Sequence, residues 1–338
     1  MIEHINFRIL VHAHKLLTTV LLLIVNSNCY ASHPSPFLTR NESPFSLIFG
    51  LPLASSAQLL NKNQSRWISS FNISNTLNAQ AKNTGNNNES LLIDIETWHF
   101  NFLYDYNFKE NWMLRLQLPY IVHSGGFLDS TIDTYHQTLG LPESIRPDFP
   151  HDQIDINVTL NNESLVNINN KQSSLGDISI QLALQAKKSK QSALSYWLSL
   201  KLPSGDTDKL TGSGGTDLAM WTSMDYLLTG SHWLYGQAGL LYMSDSDILK
   251  NIQKNWAVFA NSGIKLEPWS NLELKAQLDF HSAFYDSELE FLSHVLQLTF
   301  GASYAISKKH KLDFAVAEDI KNSASPDVNF NISWWINY

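Results

Sequence analysis

The chain has a single cysteine, Cys29, close to its amino end. That excludes a disulfide framework, and removal of the amino end would also exclude a thiolate metal site or a cysteine nucleophile. Charge is scarce as well. Asp, Glu, Lys and Arg make up 16% of 338 residues, against ~25% in ordinary soluble domains. The net charge is −8 with no basic run, which argues against nucleic acid as a partner. No stretch beyond residue 31 approaches the ~18 consecutive apolar residues of a membrane-crossing helix, and mean hydropathy is −0.17. Aromatics are plentiful: 10 Trp, 12 Tyr and 17 Phe, within a hydrophobic fraction of 43%. That is enough apolar matter to exclude a disordered chain. Such an average suits strands that are apolar on one face and polar on the other. Length alone allows two soluble domains or one large barrel.

The amino end reads as an export signal. Arg8 and Lys15 precede the apolar run Leu16–Val25, which is too short to span a ~30 Å hydrocarbon core. Cys29-Tyr30-Ala31 puts small residues at −3 and −1, so residues 1–31 are expected to be a signal peptide cleaved before Ser32. Asn28 stands where a lipoprotein signal needs a small residue, and no Leu lies three before Cys29. A lipid anchor is therefore not expected. Residues 32–65 are expected to form a periplasmic segment before a barrel over 66–338.

Period-two alternation sets the fold class. In Leu272–His281 the even positions are apolar and the odd ones are Glu273, Lys275, Gln277, Asp279 and His281. A strand places those polar residues on one face, whereas a helix would scatter them. The pattern recurs from Trp112 to Tyr120, Ile178 to Leu184, Tyr196 to Leu202 and Leu296 to Tyr304. These runs approach ten residues, as a membrane-crossing strand requires. Positions 98, 100, 102, 104, 106 and 108 are all aromatic, a hazard in water but suited to lipid and its headgroup boundary. Leu91, Ile93 and Ile95 fall in the opposite phase, which suggests a bulge, or the exit from the bilayer, at Asp94–Thr97.

Short connections near 107–111, 187–191, 229–231, 267–271 and 307–310 alternate with longer ones near 81–89, 123–174, 203–216, 244–254, 282–292 and 319–326. This is the loop asymmetry of an outer-membrane barrel. The runs number about twelve. Phe45–Leu51 and Ile154–Ile168 could supply further strands, so 10 or 14 stay open. The last residues alternate Val328, Phe330, Ile332, Trp334, Ile336, Tyr338 with polar partners. Ending on an aromatic strand resembles outer-membrane barrels and implies recognition by the barrel-assembly machinery through the strand ending at Tyr338. Within the loop 123–174, Leu128, Ile132, Tyr135 and Leu139 form one helical stripe, with Asp129, Asp133 and His136 opposite. One short helix is expected there, stopped at Gly140 and Pro142.

Several motifs are familiar. Thr39-Arg40-Asn41-Glu42-Ser43-Pro44-Phe45, Phe49-Gly50-Leu51-Pro52, Gly126-Phe127-Leu128-Asp129, Leu202-Pro203-Ser204-Gly205-Asp206 and Gly212-Ser213-Gly214 resemble a proteobacterial family, domain of unknown function 3187. The resemblance runs from about residue 36 to the end and implies an outer-membrane barrel with no assigned activity. The Asn-rich stretch 157–170 matches no motif.

The inward face is expected to carry Arg115, Lys201, Lys265, Glu273, Lys275, Asp279, Asp313 and Asp319. These would either filter a small hydrophilic solute or fill the lumen with ion pairs. The expected function is a non-catalytic outer-membrane barrel of a Gram-negative bacterium, a porin-like channel or a surface-exposed structural protein in contact with membrane lipid. No cofactor or metal is expected. Asp129, Asp133 and His136 have legitimate metal-ligand spacing but no second ligand cluster. The competing class is a lipid-modifying hydrolase using His281 or His294, with Ser293 across the 282–292 loop as a partner for His281. No elbow motif supports it.

Overall fold

The computed structural model describes residues 32–84, 87–139, 145–320 and 324–338. The expected signal peptide and its cleavage site at Ala31 lie outside the described residues, as does the helix stop at 140–142.

Twelve antiparallel strands close into one barrel. They are β1 (Ser65–Thr84), β2 (Asn87–Lys109), β3 (Trp112–Ser124), β7 (Ser179–Lys188), β8 (Ser192–Lys201), β9 (Asp217–Thr229), β10 (His232–Met243), β11 (Trp256–Trp269), β12 (Leu272–His281), β13 (Val295–Ala305), β14 (His310–Asp319) and β15 (Val328–Asn337). Each pairs with its neighbour, and β15 closes on β1 in register from Arg66 opposite Asn337 to Asn75 opposite Val328. The carboxyl-terminal strand is therefore the closing seam.

The pleat explains the alternation. Leu278 and Phe280 are about two-fifths exposed on the outer wall, while Gln277, next to Leu278, is 1% exposed on the inner wall. The outer face of β2 presents the aromatics of 98–108, which marks the lipid belt.

Three sequence expectations need correction. Residues 81–89 do not form a long loop. β1 and β2 stay paired without a register shift from Ser65–Tyr106 to Thr84–Asn87, so the hairpin runs on beyond the belt. For the same reason there is no bulge between β1 and β2 at Asp94–Thr97. β2 changes partner there, from β3 up to Glu96 to β4 (Asp155–Leu160) from Asp94. Leu91, Ile93 and Ile95 keep the inward parity of His99 and Asn101. The inward face turns apolar because above the belt it meets Ile156, Val158, Phe284 and Phe291 rather than a polar lumen. Third, Phe45–Leu51 is not a strand. It begins with a helical turn, α1 (Pro44–Leu47).

Ile154–Ile168 does add strands, β4 and β5 (Glu163–Ile168), but as a hairpin on the upper edge of β2 rather than in the barrel. Its turn residues Asn161 and Asn162 have φ of 52° and 66°, and asparagine tolerates two such left-handed positions. That accounts for part of the Asn-rich stretch. A short β6 (Gln172–Leu175) pairs with the end of β3. The loop helix is present as α2 (Asp129–Leu139).

Candidate functional site

The largest departure from the sequence reading lies inside the barrel. Residues 32–60 were expected beyond its end, and instead they fill the lumen. The ascending arm runs beside β12 in an even register. Lys275 Nζ donates to Ser35 O (2.6 Å), Phe37 N to Gln277 Oε1 (3.2 Å) and Thr39 Oγ1 to Asp279 Oδ2 (3.2 Å). Asn41 Nδ2 lies 3.0 Å from His281 Nε2, and Tyr285 OH donates to Phe45 O (2.9 Å). Burial pushes the Tyr285 phenol well above its usual range, so it stays a donor. The chain turns over at α1, where the fixed φ of Pro44 suits a first helical turn.

The descending arm meets Asp217, Gln237 and Gln185 in turn. Gly50 N donates to Asp217 Oδ2 (2.7 Å), Ser55 N to Gln237 Oε1 (3.0 Å) and Leu59 N to Gln185 Oε1 (2.7 Å). Asn107 then donates to Leu60 O. Both ends of the loop thus lie at the short-turn mouth, and its apex lies toward the long loops. A Cβ on Gly50 would stand 3.0 Å from that of Asp217, so the close approach to the wall favours glycine.

Two residues hold the apex. Arg40 donates to three main-chain carbonyls of its own loop, Leu47 (2.9 Å), Phe49 (3.3 Å) and Leu51 (2.7 Å). This folds the ascending arm onto the descending one. Glu42 reaches the wall, where Oε2 is 2.8 Å from His99 Nδ1, both side chains having no exposure. The contact continues through Asn101 Nδ2 to His99 Nε2 (2.8 Å), Gln117 Nε2 to Asn101 Oδ1 (2.9 Å) and Gln181 Nε2 to Gln117 Oε1 (3.2 Å). A buried hydrogen bond to a carboxylate returns little net stability but fixes geometry, because either partner alone would be left unsatisfied.

The named charged positions share the inward parity of their strands, and all but Asp319 fall into two groups. Lys201, Lys265, Glu273, Lys275 and Asp279 touch the loop. Lys201 Nζ donates to Ile48 O (3.1 Å) and pairs with Asp177 (2.6 Å) and Asp217 (3.1 Å). Lys265 Nζ donates to Ser32 O (2.6 Å) and sits between Glu267 and Glu273. Arg115 and Asp313 serve the wall itself. Arg115 Nε donates to Asp105 Oδ1 (2.6 Å), and Asp105 also accepts from Arg66. Asp313 accepts from Trp335 Nε1 (2.8 Å) and lies 3.9 Å from Lys275. Asp319 accepts from Ala324 N and Ser325 N near the end of β14.

The sequence reading missed Arg40, Glu42, His99, Gln185 and Gln237. The wall residues His99, Gln185 and Gln237 share the inward parity, so parity was the signal available for them. Arg40 and Glu42 carried a different signal, since they stand in the motif at 39–45. The other familiar motifs assemble here too. Asp177 accepts from Gly205 N (2.7 Å) and Ser213 N (3.1 Å), which brings Leu202–Asp206 and Gly212–Gly214 onto Lys201.

α2 packs above this closure. Glu96, fully buried, accepts from Phe127 N (3.1 Å) and Leu128 N (3.0 Å) at the start of the helix. Gly126 has φ +73°, and a Cβ there would lie 2.1 Å from Glu96 Cδ. Gly126→Ala should therefore cost the cap ~1–3 kcal/mol of backbone strain in addition to the clash. Faster protease cleavage within 123–174 on intact cells would report it, and an unchanged rate would refute it.

Asp129 accepts from Asn75 (2.9 Å), Arg146 (3.1 Å) and Asp152 N (2.8 Å), and Asp133 pairs with His151 (2.8 Å). They act as loop supports. The side chain of His136 lies outside the described residues. Beyond the belt, burial and the neighbouring charge of Asp129 push the Asp94 carboxyl up to about 7. Among the described residues no group of three His, Cys, Asp or Glu is placed to hold a metal.

The histidines of the hydrolase reading are separated. His281 is buried, with Nε2 at Asn41 and Nδ1 at Ser282 O (2.9 Å), and it stacks on Phe284. His294 is exposed. Both ring nitrogens of His281 are engaged, so neither is free for Ser293, the partner offered for it in the hydrolase reading.

Little space is left in the lumen around the apex. Two voids of about 20 Å³ flank Arg40, one against Gln117, Gln181 and Lys201 and one against Gln237, Asn261 and Asp279. Each has room for about one water. A larger polar chamber of about 450 Å³ opens at the short-turn mouth, lined by Ser32, Glu267, Glu273, Ser303, His310 and Lys311.

Several solved structures are similar to this chain. An outer-membrane channel from Pseudomonas putida F1 superposes with a TM-score of 0.54 at 11% identity, covering 83% of this chain and 98% of that one. The CymD monoaromatic hydrocarbon channel gives 0.38 at 11% identity, covering 92% and 98%. The NanC porin gives 0.43 at 7%, covering 81% and 98%. At these identities the first likeness establishes an outer-membrane barrel fold. No curated protein matches the chain in sequence. Residues 13–337 match the family model described as "Protein of unknown function (DUF3187)".

Proposed function

Given that the chain belongs to the DUF3187 family, whose description assigns no activity, we propose that it is a non-catalytic outer-membrane channel closed by its own amino-terminal loop. The short-turn mouth then faces the periplasm, the long loops face outward, and lipid covers the aromatic belt. Entry of the strand ending at Tyr338 through the barrel-assembly machinery belongs to the same proposal.

The observation that carries the reading is the character of the contact between loop and wall. A barrel closed for structural reasons alone could fill its bore with apolar side chains from the wall. Here the bore is occupied by a separate segment. Phe45, Ile48, Phe49, Leu51 and Leu59 of that segment share an apolar cluster with Trp197, Trp221 and Phe259 of the wall, and the segment also makes hydrogen bonds to Gln185, Asp217, Gln237, Lys275, Gln277 and Asp279. Water can replace these hydrogen bonds at small net cost, because protein–water bonds replace protein–protein bonds nearly evenly. A withdrawn loop would leave a wall lined by Arg66, Asp105, Arg115, Lys201, Lys265 and Lys275. That lining suits a small hydrophilic solute.

A removable lock tests the gate. Thr39 Oγ1 and Thr299 Oγ1 lie 3.2 Å apart, close enough for the pair Thr39→Cys and Thr299→Cys to join loop and β13 by a disulfide. In planar bilayers the oxidised protein should show no openings, and reductant should restore them. Openings that persist in the oxidised form would rule out the loop as the gate, and absence of current in every form would rule out the channel.

A further inference from the structure

We propose that the mature chain begins at Ser32 and that its free α-ammonium group occupies a purpose-built amine site at the short-turn mouth, latching the loop in place. The idea deepens the reading of the loop as a gate and does not depend on what passes through it.

Glu267 and Glu273 flank Ser32. The Ser32 main-chain N–H donates to the Glu267 carboxylate, and Ser32 Oγ donates to Glu273 Oε1 (3.2 Å). The two carboxylates share one close cation, Lys265 Nζ, at 3.1 and 3.3 Å. That lysine is itself held by Ser32 O. Glu273 Oε2 is buried and has no hydrogen-bond partner among the described residues. Lys311 and Lys275 add positive charge around Glu273, but neither donates to its Oε2. A buried carboxylate oxygen without a donor calls for one more.

Inside a longer chain, Ser32 N is an amide with one proton, and Glu267 takes it. Hydrolysis of the Ala31–Ser32 bond by a signal peptidase consumes one water, leaving a carboxylate on Ala31 and an ammonium on Ser32. The new group has three protons and a positive charge, so it can keep Glu267 and also satisfy Glu273. The 450 Å³ chamber beside it leaves Ser32 reachable from the mouth. Its residue types at −3 and −1 already favour cleavage at this bond. Export processing would then create the cation that fastens the loop, and an unprocessed chain would hold it more weakly.

The test uses the full chain purified from membranes. Intact mass gives the first residue, expected to be Ser32, and any other start would overturn the proposal. Loop release is read without any current. The mature chain is otherwise free of cysteine, so Ala54→Cys, deep in the descending arm, reports release through its rate of reaction with a charged thiol reagent. Two changes should each speed that reaction on the order of tenfold. One is Glu267→Gln with Glu273→Gln. The other is insertion of Asn-Gln between Ala31 and Ser32, which displaces the ammonium and leaves the wall intact. Unchanged rates in the insertion variant would overturn the latch even if the glutamate variant failed to fold. A barrel that never conducts in any form would overturn the channel reading alone and leave the labelling result standing.

Discussion

A barrel lacking residues 33–60 should pass a steady current where the full protein passes only brief openings. The deletion joins Ser32 to Asn61 and leaves β1 to β15 untouched, since β1 begins at Ser65. A loop docked ~99% of the time holds the mean current near one-hundredth of its undocked value, so the expected rise is on the order of 100-fold. Recordings in planar bilayers, on protein that still shifts its gel migration on heating, measure it. A folded deletion barrel no more conductive than the parent would mean that the wall and cap close the bore unaided, and the proposed gate would be lost.

Arg40→Ala should have the second largest effect. Its guanidinium is the donor for the carbonyls of Leu47, Phe49 and Leu51 in a buried setting. Leaving buried acceptors unpaired costs ~1–3 kcal/mol each, so the docked loop should lose roughly 3 kcal/mol or more. A loss near 3 kcal/mol is about a 100-fold shift in the released fraction, readable as faster thiol labelling of Ala54→Cys. Arg40→Lys should recover only part of this, because an ammonium cannot span three carbonyls as a planar fork does. Labelling within about twofold of the parent would refute the role given to Arg40. Barrel migration should not change, because Arg40 bonds within the loop and not to the strands.

The barrel was legible in the sequence because a pleated wall between lipid and a polar bore stamps period two on every strand. Leu272–His281 shows it most plainly. The strand extension at 81–89 was not legible. A strand that rises into water on both faces is polar throughout, so Gln80–Asn88 reads as a loop. The lumen loop left still less of an imprint. Thr39, Arg40, Asn41 and Glu42 are as buried as Phe37, Leu38 and Phe45, with wall on every side. A segment with no solvent face carries no periodicity. Its residues stood out only through their resemblance to a family motif, and nothing in that motif said they belonged inside the bore. The inward charges share one strand parity, but which of them meets the loop depends on chain geometry. Lys201 and Arg115 look alike in sequence, yet only Lys201 reaches the descending turn.

The loop enters and leaves by the same mouth, and this has a topological consequence. A strand passed through a ring from one side to the other is threaded and must be in place before the ring closes. A bight pushed in from one side is not threaded, so it can be inserted into a finished ring or drawn out again without opening a seam. Closure of β15 on β1 and seating of the loop are therefore separable events in either order. The barrel can reach the membrane as an open ring and acquire its stopper afterwards.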